Sequence, residues 1–308
     1  MFGCLSAAQA CVANRYFIII YYFRNMNVGR VMASVHSANN PLGKNSAYID
    51  RYDPTLLFPI SRAESWKSVG IERETLPFFG EDVWNGYEIS WLNEKGIPQV
   101  AMAEFRLPAT SPFLIESKSF KLYLNSYNQT KFANKSMVEQ RMAKDLSAAA
   151  GGSVTVNILS LQHQFAAEPK SVCIDDLDIS MDKYELDPEV LTLAEGDEAG
   201  LFEGTLVSHL LKSNCPVTGQ PDWGSIFIEY KGQHIDEKSL LTYIVSLRTH
   251  QDFHEQCVER TFWDIWTRCK PESLTVYARY VRRGGLDINP MRSSEEGKQA
   301  VNFRTIRQ

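Results

Sequence analysis

No Cys-x-x-Cys pair occurs in this chain. Its six cysteines fall at 4, 11, 173, 215, 257 and 269, a spacing that matches no zinc framework. Cysteines used in this way fit a reducing cytoplasm. No apolar run reaches the roughly twenty residues that a membrane-spanning helix needs. Phe17 to Phe23, between Arg15 and Arg24, is a continuous apolar-aromatic stretch of only seven residues. Excess positive charge is also lacking. The net charge is −5 and the isoelectric point about 5.8, which argues against a broad nucleic-acid groove. Local basic spots for a small phosphate ligand stay open.

What is there is an ordinary globular composition. The 308 residues are 44% hydrophobic and 22% charged, enough for two domains or one large one. Residues 1–32 differ in character from the rest. A signal peptide would need a small-x-small cleavage site after the apolar stretch, and none is evident. The expectation is an over-long leader, with translation starting at Met26 or Met32.

Residues 33–80 read as an irregular arm rich in Pro, Asn and Ser, the start of an N-terminal module over 33–173. A hairpin follows, with strands Tyr87–Leu92 and Val100–Leu107 around Asn93-Glu94-Lys95-Gly96. Phe120, Tyr123, Leu124 and Tyr127 mark one face of a helix over Glu116–Tyr127. A second helix covers Ser136–Ala149 and stops at Gly151-Gly152; Ser153–Leu161 alternates like a strand. An acidic connection spans 174–203, and the C-terminal module spans 204–308. There the strands are Leu206–Leu211, Ser225–Tyr230 and Leu274–Val281, and the helices are one through Leu240 and Leu247 and another over Asp252–Arg268.

The two halves align on each other. Asp236-Glu237-Lys238-Ser239 lies 120 positions after Glu116-Ser117-Lys118-Ser119. Phe120, Tyr123, Leu124 and Tyr127 then match Leu240, Tyr243, Ile244 and Leu247. One shift later, Val138-Glu139-Gln140 meets His254-Glu255-Gln256. This reads as a duplicated strand-strand-helix-helix-strand-strand unit. The fold class is α+β, each copy burying one sheet face under its helix pair.

Four stretches offer chemistry. Ser213-Asn214-Cys215-Pro216 and Gln220-Pro221-Asp222-Trp223 put a thiol and a carboxylate on one polar turn. A thiol attacks carbon as a thiolate and needs a proton acceptor; the plain alternative is a small buried hydrophobe. Phe253-His254-Glu255-Gln256-Cys257 opens a helix. His254 and Cys257 share a face, but the rest of a metal set is missing. Glu116-Ser117-Lys118-Ser119-Phe120-Lys121 is either a solvated helix start or a carboxylate, hydroxyls and an ammonium for a ligand. Arg282-Arg283-Gly284-Gly285 suits phosphate or an exposed basic turn.

Taken together, these stretches, the last extended as Tyr280-Val-Arg-Arg-Gly-Gly-Leu-Asp287, resemble the QueF nitrile reductase family of queuosine biosynthesis. The match is to its long two-module form, over about residues 35–308. The resemblance implies tandem tunnelling-fold (T-fold) modules, each an antiparallel sheet with a helix pair on one face. It implies NADPH-dependent reduction of 7-cyano-7-deazaguanine to 7-aminomethyl-7-deazaguanine, with no metal. Carried over by position, Cys215 is the nucleophile, Asp222 its proton-transfer partner, and His254 a proton-transfer or positioning group. Ile115, Glu116, Ser117, His254 and Glu255 bind substrate; Ser117, Lys118, Arg283 and Gly284 contact NADPH. The family implies a cytoplasmic homodimer joined sheet edge to sheet edge, acting on a free deazapurine rather than on nucleic acid; the duplication adds the expectation that the site draws on both copies, with Lys118 from the first and Cys215 from the second. The competing readings are a zinc-dependent pterin cyclohydrolase of the same fold group and a non-catalytic purine-binding module.

Overall fold

The computed structural model describes residues 48–308. The leader and the beginning of the arm lie outside them. The described part of the arm is more ordered than its composition implies, holding β1 (Pro59–Ser61) and the short helix α1 (Ala63–Ser68). The expected hairpin is β2 (Phe79–Leu92) and β3 (Pro98–Pro108). Its turn is shaped by the Asn93 side chain, whose Oδ1 accepts the N–H groups of Lys95 and Ile97.

Then come β4 (Phe113–Ile115), α2 (Ser117–Asn125), α3 (Lys135–Ala150), β5 (Thr155–Leu159) and β6 (Val172–Cys173). The remainder is β7 (Leu201–Ser208), β8 (Lys212–Asn214), β9 (Pro221–Gln233), α4 (Glu237–Ser246), α5 (His254–Cys269), β10 (Ser273–Tyr280) and β11 (Leu286–Ser293). β1 pairs with β4, while the other nine strands form one sheet. Its order is β5-β3-β2-β11-β10-β9-β7-β6, with β8 added to β9. Every pairing is antiparallel except β6 with β7. β2 and β11 pair from Phe79↔Ser293 to Gly86↔Leu286 and form the seam between the halves.

Strand alternation sorts the side chains between two faces. Trp84, Ala103 and Phe105 pack under α2 and α3 in one core; Ile226, Ile228, Val276 and Ala278 pack under α4 and α5 in another. Val83, Val207, Phe227, Tyr277 and Met291 point the other way and are covered in part by Ala300 and Phe303.

Matching hydrogen bonds occur in the two halves. Glu116 caps α2 by accepting the N–H groups of Lys118 and Ser119, and Asp236 caps α4 through Lys238 and Ser239. Tyr123 donates to Asp145 at 2.8 Å, and Tyr243 donates to Asp264 at 2.6 Å. That pairing puts Lys135, not Val138, opposite His254, and so corrects the register read from sequence for the second helix of each copy. The first copy also differs from the expected unit. It contributes β2, β3 and β5 to the sheet, while β6 crosses to the far edge beside β7.

A closed group of charges lies beneath the seam. Arg62 and Arg292 both bridge Asp82 on β2 and Glu259 on α5, and all four residues are at most 2% exposed. Trp66 Nε1 also donates to Glu259 at 2.9 Å. Removing one member strands buried charge, which costs about 3–5 kcal/mol. Glu259→Ala is therefore expected to destabilise the protein by about that amount in a denaturant titration. A loss below about 1 kcal/mol would show that the group is not a structural tie.

Candidate active site

The two helix pairs each cover their own part of the sheet and leave a cavity of about 190 Å³ over the seam. Trp84 on β2 and Leu286 and Ile288 on β11 line it from the sheet. Ile115, Ser117, Lys118 and Lys121 line it from the first half. The second half supplies Cys215, Gln220, Asp222, Phe253, His254, Glu255 and Arg283. Residues far apart in sequence therefore meet where the copies join.

Cys215 and Asp222 do not share one turn, as their spacing suggests. Cys215 follows β8, whereas Asp222 is the second residue of β9 and pairs across with Ser213. The intervening turn is closed by Cys215 N–H donating to Gln220 O at 2.8 Å and Gly219 N–H donating to Cys215 O at 2.9 Å. Strand pairing, not the turn alone, brings the carboxylate back toward the thiol. Cys215 is 8% exposed and Asp222 4%.

Each Asp222 oxygen faces a cation or a potential one. Oδ1 accepts from Arg283 Nη1, and Oδ2 lies 3.4 Å from His254 Nε2. Burial pushes the Asp222 pKa up, but His254 and Arg283 together outweigh it and hold the group below the usual carboxylate value. Asp222 is therefore ionised near neutral pH. His254 opens α5 and stacks face to face on Tyr280, with centroids 3.8 Å apart and planes 5° apart. Its Nδ1 is buried and unpartnered among the described residues, as is Trp84 Nε1.

Glu255 is the second residue of α5 and only 2% exposed. Burial, then the nearby charge of Asp82, pushes its pKa up to about 8. Its carboxyl group is thus protonated below that pH. Lys121 is pulled below its ordinary value, first by burial and then by the charge of Arg283. It lies within electrostatic reach of Glu116, Asp222 and Cys215.

The Arg283-Gly284-Gly285-Leu286 hairpin holds both glycines at positive φ, 61° and 76°, as a tight primed turn requires. A Cβ on Gly284 would lie 3.4 Å from Lys121 Cδ, so this turn packs closely against α2 of the first half.

Of the residues singled out from sequence, Ile115, Ser117, Lys118, Cys215, Asp222, His254, Glu255 and Arg283 line the cavity. Glu116 and Gly284 do not. Both Glu116 carboxylate oxygens are committed to the α2 cap, at 2.7 Å each, and the residue is fully buried. Sequence reasoning assigned no role to Lys121, Gln220 or Trp84. Lys121 was within reach of such reasoning, since it lies one helical turn from Ser117 on the same face. Nothing local distinguishes Trp84 from any other strand tryptophan.

The reading of His254 and Cys257 as possible metal ligands gains no third member. Among the described residues, the grouping with ligand atoms close enough to hold a metal is Cys173, Asp175 and His209, none of which lines the cavity. No described helix is long and apolar enough to cross a membrane.

A buried thiol lining one cavity with an ionised carboxylate, an imidazole and a second carboxyl group, with cations on the wall, defines a site suited to covalent chemistry on a small polar ligand. Comparison with known proteins gives the family. Residues 48–158 match the family described as "Nitrile reductase, 7-cyano-7-deazaguanine-reductase N-term", and residues 221–299 match "QueF-like protein". A relative from Azoarcus sp. (strain BH72), called NADPH-dependent 7-cyano-7-deazaguanine reductase, is 54% identical over 279 residues, covering 89% of this chain and 98% of the relative. One of the same name from Chromobacterium violaceum is 52% identical over 282 residues, covering 89% and 100%. The chain belongs to the NADPH-dependent 7-cyano-7-deazaguanine reductase family. Among solved structures, the apo form of an archaeosine synthase QueF-Like aligns at TM-score 0.26 and 13% identity, over 32% of this chain and 95% of its own, a likeness too slight to bear on the fold.

Proposed function

We propose that this protein reduces the nitrile of 7-cyano-7-deazaguanine to the primary amine 7-aminomethyl-7-deazaguanine, consuming two NADPH, as a cytoplasmic step toward queuosine. The observation that carries the reading is the seam cavity, where Cys215, Asp222, His254 and Glu255 meet Ser117 and Lys118.

A nitrile carbon is a poor hydride acceptor. Addition of the Cys215 sulfur forms a C–S bond, and the thiol proton passes through Asp222 to the nitrile nitrogen, giving a tethered thioimidate. One hydride to that carbon and one proton to nitrogen give a thiohemiaminal. Its C–S bond breaks, the thiolate leaves and an imine remains. A second hydride and proton complete the amine. The imine must be kept from water between the two hydride transfers, and a site walled by both halves suits that need. Glu255 faces the N–H and NH₂ donors of the deazaguanine ring, which favour its ionised form. Ser117, Lys118 and Arg283 supply a hydroxyl and two cations suited to the phosphates of NADPH, which brings the hydride when bound.

The repeated caps and helix pairs support a tandem T-fold, with modules over 33–173 and 204–308 joined by the acidic connection. A homodimer formed at free sheet edges is the assembly this architecture favours.

Adding 7-cyano-7-deazaguanine to protein and NADPH is expected to oxidise two NADPH per nitrile. Without NADPH, intact-mass measurement should show one substrate added to the protein. NADPH left unoxidised across the neutral pH range would overturn the proposal.

A further inference from the structure

We propose that Arg283 is a positioning residue for proton transfer at Cys215, a role separate from any contact with the cofactor. The inference rests on the covalent reading above and adds a second task for this arginine.

The geometry is a bridge. Arg283 Nη1 donates to Asp222 Oδ1, and Nη2 donates to the Gln220 side-chain oxygen. The Gln220 backbone oxygen in turn accepts the Cys215 N–H. One guanidinium thus ties the carboxylate on β9 to the turn that carries the thiol. Arg283 is itself held in place, because its backbone N–H donates to Leu286 O at 2.9 Å across the two-glycine hairpin. Its side chain is 35% exposed, so it reaches the buried carboxylate from the cavity rim.

Asp222 faces titratable groups from every neighbouring element. His254 and Cys257 come from α5, Tyr280 from β10 and Lys121 from α2. Lys212 lies beside it on β8, and Cys215 follows that strand. Burial draws the Lys121 pKa below its ordinary value, and His254 carries charge only when protonated. Arg283 is the partner whose charge is constant over the working pH range. Without it, burial of Asp222 is opposed mainly by His254, and the carboxylate takes up a proton at higher pH. A protonated Asp222 cannot accept the thiol proton, so C–S bond formation becomes slow on the acid side.

Adduct formation without NADPH isolates this role, since no cofactor is present to be bound. Wild type, Arg283→Ala and Arg283→Lys would be mixed with 7-cyano-7-deazaguanine from pH 3 to 9 and quenched for intact mass. Because wild-type Asp222 lies below 3.8, Arg283→Ala is expected to move the acid limb up by about one pH unit and to form adduct about tenfold more slowly on that limb, below about pH 4. Arg283→Lys should restore the position of the limb but not the full rate, because an ammonium cannot bridge two oxygens in the same fork. Rate profiles for Arg283→Ala and wild type that superimpose would overturn the inference and leave Arg283 as a cofactor contact alone. If wild type forms no adduct at any pH, the covalent reading falls first and this inference falls with it.

Discussion

Cys215→Ala is expected to lose NADPH-dependent turnover of 7-cyano-7-deazaguanine by a factor on the order of 10⁵, the scale seen when an enzyme nucleophile is deleted. The reasoning is chemical. Direct hydride transfer to the nitrile would place negative charge on nitrogen without the thioimidate that makes the carbon electrophilic. The remaining groups can hold the ring but cannot create that electrophile. The substitution removes one sulfur from a side chain that faces the cavity, so little packing is lost. The variant should fold, melt close to wild type and still bind substrate in a calorimeter. It should show no mass shift with substrate. Turnover within about tenfold of wild type would remove Cys215 from the chemistry.

Glu255→Gln is expected to act in two opposed directions. The native carboxyl has its pKa near 8 against an ordinary value of 4.5. The folded state therefore holds a proton that the unfolded chain releases. The cost to stability is absent below about pH 4.5, grows as pH rises, and levels off above about pH 8. A neutral amide avoids it. Discounting the full linkage for the coupled charges around it, Gln should stabilise the protein by about 2 kcal/mol at pH 8 and by almost nothing at pH 5. Melting at pH 8 should then rise by about 4 °C.

Binding should move the other way. A carboxylate offers two acceptors to the donor edge of the ring, whereas an amide offers one and turns an N–H toward a donor. Affinity should drop about 10³-fold, while wild-type affinity improves as pH approaches 8. A stability gain that does not vary with pH would contradict the assigned titration. Unchanged affinity would remove Glu255 from substrate binding.

The elements were legible because their period and caps are local. The apolar face appears in Phe120, Tyr123 and Leu124 of α2 and in Tyr127 just past its end, and all but Leu124 are fully buried. The boundaries were less legible. The expected strand Leu206–Leu211 is instead β7 ending at Ser208 and β8 from Lys212, with His209 to Leu211 between them. The expected strand Ser225–Tyr230 is too short at both ends, since β9 runs from Pro221 through Gln233. β7 pairs with β9 through Gln233, and β10 joins it from the other side as far as Lys231; a local reading does not see such partners.

Glu116 shows a different limit. A carboxylate at a helix start fits either a ligand or a cap, and its counterpart Asp236 makes the same cap in the other half. The matching positions of the two halves offered that comparison, since a feature shared by both points to structure before function.

By itself the sequence determined the α+β class and the cluster of residue types capable of thiol chemistry, because periodicity, spacing and side-chain chemistry are written in order along the chain. Only the tertiary structure decided that the copies join through β2 and β11, that Trp84 and Lys121 share the cavity with Cys215, and that Asp222 lies between Arg283 and His254. Those facts depend on long-range strand pairing, whose partners are separated by up to 214 positions (Phe79 with Ser293). Charge state follows from the same contacts. Glu255 and Asp222 are both carboxyl groups on paper, and burial against different neighbours makes one a neutral acid and the other an ionised base.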